Sequence, residues 1–323
     1  MNSCQKVFSV CLLTLLTQAA FAQVPELGAA SDFTLLSVGT STATPPPVPD
    51  ATAAVTTTRS TIIGDVGSAG AVSFGDASSP SVITGNVILS GVYTQVPATP
   101  PAYSGMLSSP LPVAVIADFN AAYAALAAVP CDYTLTGTLN RTLTEPGVYC
   151  FDAATTTTDG ILKLVGDSNA LWLFKIGTLG TGALTFTDTS VVMAGDACNV
   201  TWWVAEAATI TRGAIKGTIL AGAGFTATGT AGTAVEETFA GRALAKAGVT
   251  TTDMTVTGCE GGSSGGKSKS KCNQGVGNGP EDCDPGNSNQ DGHDSNPFVG
   301  ARNTNDELGG TPGDPGRKGG NIK

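Results

Sequence analysis

The amino-acid sequence predicts an all-β protein in which short strands stack as a solenoid and one α-helix packs along a side. Three observations support this prediction: abundant threonine and glycine, two strand patterns that recur in turn, and a single amphipathic helical segment. Residues 23–259 contain 40 threonines, and the whole chain contains 42 glycines. Threonine favours half-buried strands and glycine favours tight turns, so this composition is typical of a β-rich chain with many corners.

The predicted helix spans residues 110–129. Its apolar residues recur at intervals of three and four and form one stripe, which consists of Ile116, Phe119, Tyr123 and Leu126. Pro112 suits the first turn of a helix, and Pro130 ends the segment. The preceding residues 45–105, with three consecutive prolines and several glycines, predict an irregular region rather than repeated strands.

After the helix, strands that are apolar at nearly every position alternate with strands in which threonine occupies every second position. The first kind occurs at residues 171–176, 201–204, 218–220 and 243–245. Strands of this kind are buried on both faces. Their outer face therefore needs a cover, and the alanine-rich helix is the candidate. A β-sandwich is the alternative fold, but its strands would not show this fixed succession of two patterns.

The second kind of strand supplies the candidate site residues, in four Thr-x-Thr segments. These residues are Thr185, Thr187, Thr209, Thr211, Thr226, Thr228, Thr250 and Thr252. The first threonines of successive segments are 24, 17 and 24 residues apart, which is near the period of solenoid coils. Because side chains two positions apart share one side of a strand, the threonines are predicted to point outward and Phe186, Ile210 and Phe225 inward. Four further threonines at residues 155–158 are predicted to lie on a loop.

The two ends of the chain differ in composition from its middle. Residues 1–22 combine a lysine, a short apolar run and an Ala-x-Ala ending, which predicts a signal peptide cleaved near Ala22 and a secreted, extracellular protein. Residues 23–259 form the predicted solenoid domain. Residues 260–323 are rich in Gly, Asn, Asp and Pro and poor in apolar residues, so they are predicted to be a disordered tail.

Removal of the signal peptide leaves six cysteines, an even number that indicates disulfides in an exported protein. The sequence leaves the pairing open, and we favour Cys131–Cys150, Cys198–Cys259 and Cys272–Cys283. No two cysteines have Cys-x-x-Cys spacing, and the single histidine, His293, lies in the tail. Neither a metal site nor a cofactor is therefore predicted.

Charge and the placement of acids exclude several functional classes. The net charge is −10 and residues 23–259 contain no basic cluster, so nucleic acid is not an expected partner. No apolar run is long enough to span a membrane. The 17 acids of residues 23–259 are scattered, apart from Glu236 and Glu237, whereas glycoside cleavage needs two acids that converge on a groove. The sequence predicts a monomeric protein that is not an enzyme.

Several motifs occur in an order that resembles one known family. They are LGAASDFTLLS (27–37), ADFNAAYAAL (117–126), EPGVYCF (145–151), GDSNALWLFKIGTL (166–179), GDACNVTWWV (195–204), KGTILA (216–221) and GRALAKAGVTTTDMTV (241–256). Together they resemble the microbial ice-binding proteins, also called domain of unknown function 3494, over about residues 27–256. The resemblance implies an irregular, right-handed, three-sided β-solenoid with a long helix along one side. Lys175 and Glu206 depart from it, because family members more often have a neutral polar residue there.

The resemblance also implies that the partner is the surface of an ice crystal and that the protein inhibits ice growth or recrystallisation. Stacked Thr-x-Thr segments suit this function because they place hydroxyls and methyls on a regular grid. Two alternatives remain open: an extracellular adhesion or matrix protein that binds polysaccharide or a cell surface, and a solenoid enzyme that cleaves polysaccharide. Sugar binding favours exposed aromatic side chains, but Trp172, Trp202 and Trp203 all lie in predicted buried strands.

Overall fold

The computed structural model describes residues 25–41, 49–76, 78–231 and 237–259. The predicted signal peptide and tail, including Cys272 and Cys283, lie outside the described residues. Within them are 22 strands, one α-helix and two short 3₁₀ helices, at Gly28–Asp32 and Ala197–Asn199. The prediction of a mostly β fold with one helix is confirmed.

Nine strands precede the helix. They are β1 (Phe33–Ser37), β2 (Ala54–Thr58), β3 (Thr61–Ile62), β4 (Asp65–Ser68), β5 (Ala71–Gly75), β6 (Val82–Ile83), β7 (Val87–Leu89), β8 (Tyr93–Gln95) and β9 (Leu107–Ser108). The prediction that residues 45–105 are irregular was therefore wrong. Strands of two to five residues are too short to show a clear alternation in sequence, and pairing with neighbouring strands defines them instead.

The helix α1 (Val113–Ala128) lies within the predicted segment and is followed by thirteen strands. They are β10 (Tyr133–Leu135), β11 (Arg141–Leu143), β12 (Gly147–Phe151), β13 (Thr155–Thr158), β14 (Ile161–Leu164), β15 (Trp172–Ile176), β16 (Leu184–Val192), β17 (Val200–Val204), β18 (Ala208–Ala221), β19 (Phe225–Thr228), β20 (Thr238–Ala245), β21 (Val249–Thr252) and β22 (Thr255–Val256).

All strands belong to one curled sheet of parallel pairs, and the pairs fall into three series. The helix-side series runs β10–β12–β15–β17–β18–β20–β1–β4–β7–β9. The threonine series runs β13–β16–β18–β19–β21–β2–β5–β8. The third series runs β11–β14–β16–β18–β20–β22–β3–β6.

The strand β18 runs through more than one series and turns into the helix-side series at a glycine. β18 pairs in the threonine series through residues 208–211 and in the helix-side series through residues 218–221. Gly217 has a φ of 118° and lies opposite Gly241 in β20, where a Cβ would stand 1.8 Å from the Gly217 carbonyl oxygen. A side chain at Gly241 would therefore clash with the backbone of the neighbouring strand.

The chain starts inside the stack at β1, continues to one end at β9, crosses to the other end at β10, and then fills the stack back toward β1. Strands β1–β9 extend the stack in one direction, and β10–β22 fill it from the opposite end. The first and last strands then pair directly, as β1–β20, β2–β21 and β3–β22. The helix provides about half of the return path from β9 to β10, because its 16 residues span about 24 Å, or about five strand spacings.

The helix covers the outer face of the helix-side series, as the doubly apolar strands predicted. Phe119, which is fully buried, packs with Leu173, Trp203, Leu220 and Leu244 in a cluster separate from the interior of the sheet. Tyr123 adds polar contacts: its hydroxyl donates to the Val204 carbonyl at 2.9 Å, and its carbonyl accepts from the Trp203 indole at 3.0 Å. The helix is therefore fixed by both packing and direction-specific hydrogen bonds.

The buried side chain of Lys175 is held by the end of the helix. Its side chain is buried in β15, and its ammonium donates to the Ala127 carbonyl at 2.8 Å and the Val129 carbonyl at 2.5 Å. These carbonyls lie at the C-terminal end of the helix, where backbone acceptors have no intrahelical partner and a cation is favoured. Burial lowers the pKa of the ammonium. Glu206, by contrast, is exposed between β17 and β18.

Two disulfides join described cysteines, Cys131–Cys150 and Cys198–Cys259. Both pairs agree with the favoured sequence pairing. The first joins Cys131, three positions after the helix, to Cys150 in β12. The second joins Cys259, after β22, to Cys198 in the 3₁₀ helix before β17. In the described part of the chain, the helix does not have the length and apolarity that crossing a bilayer requires.

Candidate functional site

The eight predicted site residues form two adjacent columns in the threonine series. Four strands align in register, so that Thr185, Thr209, Thr226 and Thr250 stand side by side in the first column. The second column consists of Thr187, Thr211, Thr228 and Thr252. All eight side chains are half-buried or exposed, which is the outward orientation predicted for them.

The residues that alternate with the threonines point into the interior of the curled sheet. Phe186, Ile210 and Phe225 are fully buried, as predicted. Leu184, Ala208, Ala227 and Val249 are buried with them. Because the inward positions are packed in the core, a strand cannot shift by one residue without exchanging its apolar and threonine sides. The core therefore fixes the register of the outward threonines.

Both columns extend beyond the predicted residues. Thr156 and Thr158 of β13 align with Thr185 and Thr187, and on the opposite side Thr56 and Thr58 of β2 align with Thr250 and Thr252. Ser73 of β5 and Thr94 of β8 continue the first column. Each column thus has an uninterrupted run of six threonines on the six consecutive strands from β13 to β2, and Thr94 adds a seventh to the first column.

The prediction that residues 155–158 lie on a loop was wrong. Four identical residues show no alternation between apolar and polar side chains, so the sequence does not identify which of them point inward. The structure buries Thr155 and Thr157 and satisfies their hydroxyls. The Thr155 hydroxyl donates to the Gly137 carbonyl at 2.7 Å, and the Thr157 hydroxyl accepts from the Leu139 amide at 2.9 Å.

A third column of small residues runs beside the threonines. It lies two positions before the first threonine of each strand and consists of Ala154, Ala183, Ala207, Gly224, Gly248, Ala54 and Ala71. Side chains two positions apart share one side of a strand. We call the outward residues of the three columns, on β13, β16, β18, β19, β21, β2, β5 and β8, the threonine face. All of them are uncharged.

A sequence signal could have located six of the eight strands of the face. The pattern Ala/Gly-x-Thr-x-Thr followed by Asp, Arg or Gly occurs at residues 54–59, 154–159, 183–188, 207–212, 224–229 and 248–253. The four Thr-x-Thr segments that the sequence analysis used are the last four copies. The copies at residues 54–59 and 154–159 were missed. The missed copy at residues 54–59 is far from the others along the chain, whereas the one at 154–159 starts 29 residues before its neighbour. Both are adjacent to the other copies in the sheet.

A charged corner borders the second threonine column. The residue that follows this column has a positive φ of 49° to 57° at Asp159, Asp188, Arg212, Asp253 and Arg59. Such left-handed positions turn the chain sharply toward the third series. Arg212 pairs with Asp188, and Arg59 pairs with both Asp253 and Asp76. The hydrogen bond from Arg212 lowers the pKa of Asp188, and those from Ser78 and Arg59 lower the pKa of Asp76.

The spacing of the threonine face is regular in both directions. Threonines two positions apart on a strand are about 6.5–7 Å apart, and neighbouring strands are about 4.7–4.9 Å apart. Threonine is β-branched and stiff about χ1. The face is therefore a rigid rectangular array of hydroxyls and methyls with an edge of small residues, and it can contact many ordered waters at once.

A cavity of about 300 Å³ lies away from this face, beside the Cys198–Cys259 disulfide. Its lining includes Arg242, Thr201, Thr218 and Ser31. Among the described residues that line it, Glu26 is the one acid, so the paired carboxylates of a glycoside hydrolase are not found there. The three tryptophans are buried, with at most 8% of their surface exposed, and do not form a sugar-binding platform.

Comparison with known proteins agrees with the sequence resemblance. The sequence profile of the ice-binding-like family matches residues 50–257, more than half of the 323-residue chain. The chain belongs to the ice-binding-like family. A relative named ice-binding protein, from Nostoc sp. (strain HG1), is 39% identical over 184 residues, which make up 54% of this chain and 64% of the relative. The chain therefore spans less than two thirds of that relative.

Solved structures of other proteins share this fold. An ice-binding protein from an Antarctic biological consortium is 25% identical, with a TM-score of 0.53 over 74% of this chain and 93% of the other. A glycosylated ice-binding protein from an Arctic yeast is 22% identical, with a TM-score of 0.50 over 72% of this chain and 93% of the other. At this identity the yeast structure supports the fold alone.

Proposed function

We propose that this protein binds ice through the threonine face and inhibits the growth or recrystallisation of the crystal. The observation that carries the proposal is the alignment of outward threonines in two columns across six consecutive strands. Membership of the ice-binding-like family and the printed names of the relatives support it.

The face would act as a preordered template for water. Threonine hydroxyls hydrogen-bond to waters at regular intervals, while the methyls and the small-residue column keep those waters from adopting a bulk-like arrangement. Each contact is weak, so adsorption depends on many contacts made at the same time. A flat, stiff array favours this because little side-chain entropy is lost on binding.

The wider architecture belongs to the same proposal. Residues 23–259 form an irregular, right-handed, three-sided solenoid, and the three series of strand pairs support the three-sided form. Residues 1–22 act as a signal peptide cleaved near Ala22, so the protein acts outside the cell. It acts there as a monomer. The protein is not an enzyme and uses no cofactor; the scattered acids support this part of the proposal.

The test is to observe ice crystals in the presence of the purified protein and of two variants. Thr226 lies near the centre of the face and is exposed, so Thr226→Tyr raises a ring above the array without entering the core. We expect the parent to shape ice and to inhibit recrystallisation, and Thr226→Tyr to lose most of both effects.

Thr142→Tyr is the matched control, because Thr142 is an exposed strand residue in the third series. This variant should keep full activity. The free energy of unfolding of both variants should lie within about 0.5 kcal/mol of the parent value, as for most surface substitutions. If Thr226→Tyr folds and keeps full activity, the ice-binding surface must lie on another side of the protein. A parent that leaves ice growth unaffected at any concentration would refute the proposal.

A further inference from the structure

The threonine face is assembled from two parts of the chain. Strands β2, β5 and β8 precede the helix, whereas β13, β16, β18, β19 and β21 follow it. In the threonine series these groups join at one strand pair, β2–β21, where Thr56 lies opposite Thr250 and Thr58 opposite Thr252. No short connection links these strands, so noncovalent contacts keep the two groups in one plane. We call this pair of strands the seam.

The interior side of the seam is poorly suited to this task. Thr57 and Thr251 lie opposite each other and point inward, with 0% of their surface exposed. Among the described residues, these two are the ones with a buried side-chain hydroxyl that has no hydrogen-bond partner. The equivalent inward position holds Ala227 and Phe74 on the two neighbouring strands, and Ile210 and Phe186 farther along the series. A buried hydroxyl without a partner opposes folding, so this pair of threonines stabilises the seam less than an apolar pair would.

The corner side of the seam is held by Arg59. Its Nε donates to Asp253 Oδ1 at 2.8 Å and its Nη2 to Asp253 Oδ2 at 2.7 Å, which is a two-point contact across the seam. Its Nη1 donates to Asp76 Oδ2 at 2.6 Å. A two-point arginine–carboxylate contact fixes orientation as well as distance. One side chain therefore connects the corners of β21, β2 and β5, next to the outward Thr58 and Thr252.

Arg212 offers an internal comparison. It occupies the same corner position with a similar φ, 57° against 50° for Arg59, and makes the same kind of two-point contact, with Asp188. Its contact joins β18 to β16, both of which lie in the group that follows the helix. Arg212 thus repeats the chemistry of Arg59 at a place where the face is not divided.

We propose that Arg59 is a positioning residue for ice adsorption, which holds the two strand groups of the threonine face in one plane and register. This inference rests on the proposed function. It assigns a role to Arg59 that Arg212 does not share, because ice contacts many strands at once and loses the contacts of one whole group if the two groups tilt apart.

The experiment compares Arg59→Gln with Arg212→Gln in the full domain at temperatures near freezing. We expect Arg59→Gln to raise the concentration needed to inhibit recrystallisation about fivefold, and Arg212→Gln to raise it less than about twofold. Arg59→Lys keeps a cation without the two-point contact, so its loss should fall between that of Arg59→Gln and the parent. It also tests the inference if Arg59→Gln does not fold.

Two further measurements separate positioning from a general loss of stability. Thr56→Tyr should strongly reduce the inhibition of recrystallisation when it is added to the parent or to Arg212→Gln. Added to Arg59→Gln it should cause little further loss, because β2, β5 and β8 no longer share the plane of the other strands in that variant. Amide hydrogen exchange in residues 249–253 should quicken in Arg59→Gln and not in Arg212→Gln, because the Asp253 amide bonds to the Thr58 carbonyl across the seam.

Equal losses in the two glutamine variants, or a full effect of Thr56→Tyr in the Arg59→Gln background, would overturn the inference. Failure of the proposed function looks different: the parent itself would then not act on ice. In that case hydrogen exchange still decides whether Arg59 holds the seam.

Discussion

The helix-side series and the threonine series have the same backbone geometry but differ in what covers them. Both consist of parallel strands with apolar residues pointing inward. On the helix side many outward residues are also apolar, such as Leu173 and Leu220, and α1 buries them. On the threonine face the outward residues are threonine, alanine, glycine and one serine, Ser73, and no described element covers them. The repeated backbone therefore supplies a flat surface, and the outward residue type decides whether that surface packs against protein or faces solvent.

The largest effect is expected where the cover is removed. Phe119→Ala deletes a fully buried ring between the helix and the strands, and loss of a buried aromatic costs about 3–5 kcal/mol. Thermal or denaturant unfolding measures this loss. Ala124→Ser, on the exposed side of the same helix, should change stability by less than about 0.5 kcal/mol. Equal stability of the two variants would mean that the helix does not hold the helix-side series.

The second effect concerns the exposed face and depends on position. A tyrosine at Thr209, well inside the face, should hold several neighbours on both sides away from ice and remove most of the inhibition. A tyrosine at Thr156, on the outermost strand β13, has neighbours on one side and should remove less. Recrystallisation assays on both variants measure the gradient. Equal losses at the two positions would contradict adsorption through an extended flat array.

The interior of the threonine series should respond in opposite directions at two matched threonines. Thr57→Val replaces a buried hydroxyl that lacks a partner and should stabilise the protein by about 1 kcal/mol. Thr157→Val removes a hydroxyl that accepts from the Leu139 amide and should destabilise it by about the same amount. Unfolding in urea measures both. If both substitutions destabilise the protein, the Thr57 hydroxyl has a partner in solution.

A smaller effect is expected from pH, through the charged corner. The pKa values of Asp76 and Asp188 are lowered in the folded protein by their hydrogen bonds to Ser78 and Arg59, and to Arg212. A lowered pKa means that the contribution to stability is complete above the unfolded value, near pH 4, and is lost as the pH falls through the folded value. The melting temperature should thus be level from about pH 8 to about pH 5 and fall in stronger acid. Asp188→Asn should flatten part of this fall; an unchanged acid profile would exclude the Asp188 contribution.

The smallest effect is expected from the predicted tail. Ending the chain after Gly261 keeps Cys259 and every described strand, so the melting temperature and any ice activity should stay nearly unchanged. Calorimetry and the recrystallisation assay check both properties. A large loss of either would show that residues after 261 contribute to the stability of the helix-side series or to the activity of the threonine face.

The sequence by itself determined the features that depend on neighbouring residues. Doubly apolar strands such as residues 171–176 predicted burial on both sides, and the stripe on residues 110–129 predicted the helix that covers them. Thr-x-Thr alternation predicted which side of β16, β18, β19 and β21 faces outward. These predictions succeeded because side-chain direction follows from the period of the local backbone.

Only the tertiary structure decided which distant segments lie side by side. β2 joins β21 because the chain returns along the helix and closes on its own beginning, and no local pattern near Thr56 or Thr250 predicts that pairing. The run at residues 155–158 became a strand because Gly137 and Leu139 bond its inward hydroxyls. Corner contacts such as Arg59–Asp253 join residues 194 positions apart. The register between strands is set by core packing and by these long-range contacts, which a single strand's sequence does not contain.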